Sequence, residues 1–208
     1  MEFTIKDFFR HSFCITTSDE QYKRFKDRFV DRGLPRRMLP KKFVGTYPKH
    51  TMKDRTSMQM CILSHFSIIN MASTLNLPYV TIFEDDALPM KDFYPKLSEF
   101  LSEGVPDGAS AVYFGNLHFI DIQEKTSGVK FASMTSNLYG THAYTVFKGA
   151  YANYLKVNRA SERQINPDWC QELFKPCYAS TKSFFIQYRD ELQHPEFLMD
   201  KQNLNLFL

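Results

Sequence analysis

The chain has 208 residues, 43% of them hydrophobic and 24% charged, with 8 Gly and 10 Pro. That length suits one α/β domain with a continuous core, and the composition excludes a disordered, collagen-like or low-complexity chain. A net charge of +3, from 26 Lys+Arg against 23 Asp+Glu, is too small to argue for a nucleic-acid partner.

In chain order, Ile5-Lys6-Asp7-Phe8-Phe9-Arg10-His11 interrupts any apolar run, so no secretory leader is read there. Ser12 to Thr17 reads as a first strand. Ser18 is placed to cap a helix, with Gln21 three residues on to complete a capping box. Tyr22, Phe25, Phe29 and Val30 follow at helical spacing and Gly33 stops the helix. The chain is therefore expected to open strand–turn–helix.

Residues 34–56 carry Pro35, Pro40 and Pro48 and read as an irregular connection, with a short strand at Lys42-Phe43-Val44. Arg36, Arg37, Lys41, Lys42, Lys49, Lys53 and Arg55 cluster here, either as a solvated loop or as a site for phosphates or anionic lipid headgroups. Ser57 to Leu75 predicts a helix, apolar at Met58, Cys61, Ile62, Phe66, Ile69 and Ala72, and Pro78 ends it. Tyr79-Val80-Thr81-Ile82-Phe83 is the clearest strand, β-branched and aromatic, with the pattern of a strand buried on both faces.

Met90 to Glu103 predicts a helix with Phe93, Leu97, Phe100 and Leu101 on one face and Gly104 as its stop. Strands are expected at 110–114, 119–122, 129–131, 143–147, 177–179 and 183–188, and helices at 148–157 and 168–174. Strands alternating with helices through residue 116 predict a mostly parallel central sheet flanked by helices, with a mixed C-terminal half. The expected organisation is one domain over 1–208, divided into residues 1–116, residues 117–190 and a tail at 191–208. No apolar run approaches the length of a membrane span. Cys14, Cys61, Cys170 and Cys177 are expected as reduced thiols of a cytoplasmic protein, and the lack of a CxxC spacing at Cys170 and Cys177 argues against a zinc site.

Glu84-Asp85-Asp86 follow directly on the most hydrophobic strand. Three adjacent carboxylates repel one another, and a hydrophobic strand solvates them poorly. A divalent cation relieves that repulsion, and all-oxygen ligands suit Mn²⁺ or Mg²⁺ shared with substrate phosphates. The alternative is a solvated acidic turn opening the next helix.

Cys61-Ile62-Leu63-Ser64-His65 on a helix, then Leu77 to Phe83 ending in Glu84-Asp85-Asp86, resembles glycosyltransferase family 25, the lipopolysaccharide-type and collagen-type galactosyltransferases. Phe13 to Thr17 with Tyr22-Lys23-Arg24-Phe25, Tyr139-Gly140-Thr141-His142-Ala143-Tyr144 with Lys148-Gly149-Ala150, and Asn166-Pro167-Asp168-Trp169 resemble further blocks in the family's order. The first strand departs from the family by lacking Asn-Leu after Ile15, and Met60 stands where a glycine is common.

The resemblance implies a GT-A-like fold, a uridine-diphosphate hexose donor, most naturally galactose, a glycan acceptor such as lipopolysaccharide, a divalent metal and inversion. By the same carry-over, Asp86 would be the metal ligand, Glu84 a ribose or metal contact, and Asp85 a donor-sugar contact. Ser64 and His65 would face the pocket, although a histidine in such a helix also reads as a satisfied structural residue. Arg24 would pair with the nucleotide or remain a surface arginine. Asp168 is the candidate base for the acceptor hydroxyl, or simply a helix cap. Gly140 and Thr141 would line the sugar site, with a turn glycine as the alternative. A lipopolysaccharide-type acceptor would place residues 36–55 against the inner membrane face. A catalytically silent binding module and a metal-dependent nuclease or phosphotransferase remain the competing readings; the latter lacks a glycine-rich phosphate loop.

Overall fold

The computed structural model describes residues 1–45, 57–115, 129–134, 141–160 and 166–187. The chain opens on a helix, not a strand. Thr4 and Asp7 form a reciprocal capping box at the start of α1 (Ile5–Arg10), which buries Ile5, Phe8 and Phe9. The strand β1 (Ser12–Thr16) follows, then α2 (Asp19–Asp31). Ser18 caps α2 by accepting from the Gln21 N–H. Gly33 ends it at φ +96°, a left-handed conformation that favours glycine.

After β2 (Lys41–Val44), α3 (Ser57–Thr74) leads into β3 (Tyr79–Glu84). The predicted start of the next helix at Met90 is corrected: α4 runs Phe93–Phe100, continued by a 3-10 turn at Leu101–Glu103. Ala87–Pro89 instead form β4, antiparallel to β9 (Phe185–Gln187), and the Met90 N–H donates to the Phe184 carbonyl. These residues take part in a two-stranded ladder, so the helix cannot begin until they are past. β5 (Ala111–Gly115), β7 (Ala143–Phe147), α5 (Lys148–Ala160), α6 (Cys170–Leu173) and β8 (Cys177–Ser180) lie close to their predicted places. β6 (Phe131–Ser133) begins two residues later than the predicted 129–131. The predicted strand at 119–122 and the tail at 191–208 lie outside the described residues.

The main sheet has seven strands in the order β2-β1-β3-β7-β5-β8-β6. β1, β2, β3, β5 and β8 point one way, and β6 and β7 the other. The architecture is a mixed α/β sheet flanked by helices, with the antiparallel strands contributed by the second half.

Alternation along the strands splits the interior into two layers. Cys14, Phe83, Val112 and Phe114 face α1, α2 and α4. Ile15, Val80, Ile82, Tyr113 and Tyr144 face α3 and α5. The first layer is built on Phe83, whose ring lies 5.4–6.0 Å from those of Phe8, Phe9, Phe25, Phe29 and Phe185. The many phenylalanines therefore form the core.

The order β2-β1-β3 has a functional consequence. From β1 the chain crosses to β2 on one side and then returns past β1 to β3 on the other. In open α/β sheets the crevice outside the carboxyl ends of strands at such a switch is the natural ligand position. The two strand ends that meet there are Thr16-Thr17 and Glu84-Asp85-Asp86.

Candidate functional site

A cleft of about 180 Å³ opens at that switch point, lined by Ile15, Thr16 and Thr17 from β1, Gly45 after β2, Met60, Cys61 and Ser64 from α3, and Glu84, Asp85 and Asp86. The three acids are held in three different ways.

Glu84 is the innermost, with its side chain 17% exposed. Its Oε1 accepts from the Thr141 hydroxyl at 2.5 Å and lies 3.2 Å from His65 Nε2 and 3.8 Å from Cys61 Sγ. His65 is fully buried, and its Nδ1 lies 2.9 Å from the Tyr144 hydroxyl. The arrangement is self-consistent if Nε2–H donates to the carboxylate and Nδ1 accepts from Tyr144. Burial pushes the Glu84 carboxyl up, but the hydrogen bonds from His65 and from the Thr141 hydroxyl outweigh it and hold the group at about 2. Burial, then the neighbouring Tyr154 and Glu84, raises the Tyr144 hydroxyl, which therefore stays a proton donor.

Asp85 turns toward β1. Its backbone N–H donates to the Ile15 carbonyl, and its backbone carbonyl accepts from Arg28 Nη2. Burial raises its carboxyl above the usual range, while the Thr16 hydroxyl and Thr17 N–H pull the other way. Asp86 Oδ2 accepts from Gln187 Nε2 at 2.8 Å, tying the triplet to the end of β9. Asp86 also borders a second cleft of about 410 Å³, shared with Asp85, Gln21, Arg24, Asp27, Arg28 and Asp31.

The structure thus brings Ser64, His65, Glu84, Asp85, Asp86 and Thr141 together. Ser64 lines the cleft, but its hydroxyl donates to the Met60 carbonyl within the helix. His65 supports Glu84 from behind and does not line the cleft. Arg24 is not brought to this cleft; its side chain is exposed, pairs with Glu20, and borders the second cleft. Arg28, one turn further along α2, is the arginine that contacts the acidic segment, donating to the Asp85 carbonyl. Gly140 lies outside the described residues.

Asp168 lines neither of these clefts; its segment is held from the same sheet layer as Tyr144. Tyr113 donates its hydroxyl to the Pro167 carbonyl at 2.8 Å, and Asp168 accepts from Asn166 Nδ2 at 3.0 Å. Its charge is felt at both Cys61 and Tyr144. Burial and then Glu84, Asp86 and Asp168 together raise the Cys61 thiol far above its ordinary value. Tyr113, Tyr144 and Cys61 were assigned no role from sequence; the signal available was the spacing Cys61–His65, which puts both on one helix face.

Gly115 has a specific reason to be glycine. A Cβ there would lie 2.5 Å from His142 Nε2 and 2.6 Å from the Phe185 carbonyl. His142 Nε2–H donates to that carbonyl at 3.2 Å, and burial holds its imidazole below the ordinary range. The bond anchors β9, and with it Gln187, beside the start of β7.

A mixed α/β sheet with an acidic triplet on the cleft at its switch point has the layout of an enzyme with a polar ligand site. Residues 49–168 match glycosyltransferase family 25, described as LPS biosynthesis protein; the chain belongs to that family and is a glycosyltransferase. The match runs from before α3 through Asp168, so β1 and Arg24 lie outside it. Among solved structures, the chain is similar to a glycosyltransferase involved in the glycosylation of the major capsid of PBCV-1. That likeness has a TM-score of 0.50 at 11% identity, covering 85% of this chain and 90% of that one. It is also similar to A197 from STIV, with a TM-score of 0.45 at 9% identity, covering 86% and 93%. The first likeness supports the fold. No curated protein sequence matches the chain.

Proposed function

We propose that this glycosyltransferase moves a hexose, galactose in the simplest case, from a uridine-diphosphate donor to a glycan acceptor such as lipopolysaccharide, with inversion and with help from a divalent cation. The observation that carries the reading is the placement of Glu84, Asp85 and Asp86 at the carboxyl end of β3, on the wall of the cleft at the β1/β3 switch.

The three acids divide the work. Glu84, kept ionised by His65 and Thr141, is an acceptor suited to ribose hydroxyls. Asp85 is committed to the end of β1 and shapes the cleft toward the donor sugar. Asp86 borders both clefts and is the oxygen donor that fits a hard cation such as Mn²⁺ or Mg²⁺. When bound, that cation would supply Lewis-acid stabilisation of the departing diphosphate.

Asp168 is the base of this reading. Its carboxylate takes the proton of the acceptor hydroxyl as that oxygen bonds to the anomeric carbon and the bond to the diphosphate breaks. The Tyr113–Pro167 hydrogen bond fixes the segment that carries it. Thr141, and Gly140 before it, complete the sugar side of the cleft. A GT-A assignment follows from the same reading.

Calorimetric titration of uridine diphosphate with Mn²⁺ and with EDTA tests it. Metal-dependent binding lost in Asp86→Ala is the expected result. Absence of binding to the wild type with Mn²⁺ would remove the uridine donor and leave a transferase of another nucleotide or a silent binding module. The proposal extends to a peripheral membrane contact at the inner face through residues 36–55. Arg36, Arg37 and Lys41 are exposed there, and Lys42 pairs with Asp19, while residues 46–55 lie outside the described residues. Near-surface cations each add about 1 kcal/mol toward anionic lipid. Neutralising Arg36, Arg37, Lys41 and Lys42 should weaken binding to anionic liposomes, and unchanged binding would refute the contact. Among the described residues no helix is long and apolar enough to cross a membrane.

A further inference from the structure

Behind the diphosphate side of the cleft lies a donor set of a different chemical character. Cys61 and His65 are four residues apart on α3, so both project from one helix face. Glu84 meets them from β3. The sulfur, a ring nitrogen and a carboxylate oxygen all lie within 4.8 Å of one another. We propose that Cys61, His65 and Glu84 form a binding site for a thiophilic divalent cation, of which Zn²⁺ is the type, separate in ligand chemistry from the hard-cation position at Asp86.

The spacing fits. Zinc bonds of about 2.0–2.1 Å to nitrogen, 2.0–2.2 Å to oxygen and 2.3 Å to sulfur, set tetrahedrally, need ligand edges of about 3.3 Å for N···O and 3.5 Å for S···O. The corresponding separations are 3.2 Å for His65 Nε2 to Glu84 Oε1 and 3.8 Å for Cys61 Sγ to the same oxygen. A small rotation of the Cys61 side chain closes the difference.

The supporting groups fit as well. Metal-bound histidines are oriented through their other ring nitrogen, and metal-bound carboxylates through outer hydrogen bonds. Here the Tyr144 hydroxyl lies 2.9 Å from His65 Nδ1, and Thr141 donates to Glu84. With the cation on Nε2, the ring proton sits on Nδ1 and the Tyr144 oxygen accepts it. Cys61 and Glu84 line the cleft while His65 lies behind them, so a fourth position faces the opening, the pattern of a three-ligand zinc site that keeps one position free.

Sulfur decides the metal. Mn²⁺ and Mg²⁺ prefer oxygen, whereas thiolate with imidazole selects zinc. The Cys61 thiol gives up its proton to solvent as the S–metal bond forms, so affinity rises with pH. The negative field of Glu84, Asp86 and Asp168, which disfavours a bare thiolate, favours the cation that accompanies it.

The test uses the full chain stripped with a chelator and titrated with Co²⁺, then Zn²⁺. Co²⁺ should produce a near-ultraviolet thiolate-to-metal charge-transfer band that Zn²⁺ abolishes. Cys61→Ser should lack the band, and Tyr144→Phe should keep it with Zn²⁺ affinity weakened about 10–100-fold. Absence of the band, or its persistence in Cys61→Ser, would overturn the proposal. Should Cys61→Ser fold poorly, alkylation of the wild type gives the answer: Zn²⁺ should protect Cys61 selectively over Cys14 and Cys177, and no protection refutes the site. Mn²⁺-dependent uridine diphosphate binding, measured on the same sample, separates this proposal from the donor reading, because either result can fail while the other holds.

Discussion

The ionised state of Glu84 makes a quantitative demand on the stability of the metal-free protein. Its carboxyl titrates at about 2 in the folded chain against an ordinary value of 4.5. A carboxyl depressed on folding stabilises the native state above its unfolded value, and that stability is lost as pH falls toward its folded value. The size of the effect is about 3 kcal/mol, from the difference between the two values at roughly 1.4 kcal/mol each. In a chain of this size that corresponds to a change in Tm of roughly 6–12 °C.

Other acids contribute to acid unfolding too, Asp7 among them: despite burial, its bonds to Thr4 and Tyr79 hold its carboxyl below the ordinary range. The difference between wild type and Glu84→Gln isolates the one group. Glutamine keeps an acceptor for His65 and Thr141 but cannot ionise. Denaturant unfolding in EDTA at pH 7 should place Glu84→Gln up to about 3 kcal/mol below wild type. The gap should narrow through pH 4.5 and nearly vanish as pH approaches 2. A gap that stays constant over this window would show that His65 and Thr141 do not hold Glu84 as an anion, and the assignment of Glu84 as a fixed acceptor would fall with it.

Three further outcomes follow from particular contacts. Tyr113→Phe removes the hydroxyl that holds Pro167; it should cost about 1–2 kcal/mol and lower kcat while leaving uridine diphosphate affinity within twofold, read by calorimetry beside steady-state kinetics. Gly115→Ala puts a methyl into the His142–Phe185 contact and should destabilise by about 1–3 kcal/mol or more; a neutral effect in thermal unfolding would mean that β9 can move aside. Phe3→Ala should cost about 3–5 kcal/mol, because this ring is 2% exposed and packs edge-on to Tyr79 and Phe147; a loss under 1 kcal/mol in chemical denaturation would show that the N-terminal segment is not part of the core.

Much of this was legible before the structure, for local reasons. The strand into the acidic triplet shows as an unbroken β-branched and aromatic run, and the Ser18 cap and Gly33 stop are signals carried by single residues. α1 carries a signal too, since Thr4 and Asp7 have capping-box spacing just before Phe8 and Phe9, but its six residues are too few to show helical periodicity. β4 was not readable. Its partner lies on the far side of the chain, Asp86 and Gln187 being 101 residues apart, and Ala-Leu-Pro has no strand signature of its own. The same holds within the site. Sequence order picks out Arg24, whereas the approach of α2 to the acidic loop selects Arg28; Tyr144 and Tyr113 show only as strand aromatics until the sheet register stacks them 5.1 Å apart.

In the proposed mechanism that stacked pair lets one sheet layer serve two ends of the reaction. Tyr144 reaches forward through His65 to the Glu84 anion, and Tyr113 reaches back to the Pro167 carbonyl beside Asp168. Neighbouring strands β5 and β7 place the two rings in register, Tyr113 opposite Tyr144, so the proposed donor-side acceptor and the proposed acceptor-side base are referenced to a common rigid element. A carboxylate pair that must act on one substrate from different segments needs such a reference, because misplacement by about 1 Å costs rate on the order of a hundredfold. Glu84 and Asp168 come from segments with no sequence proximity, and the two tyrosines supply the shared frame.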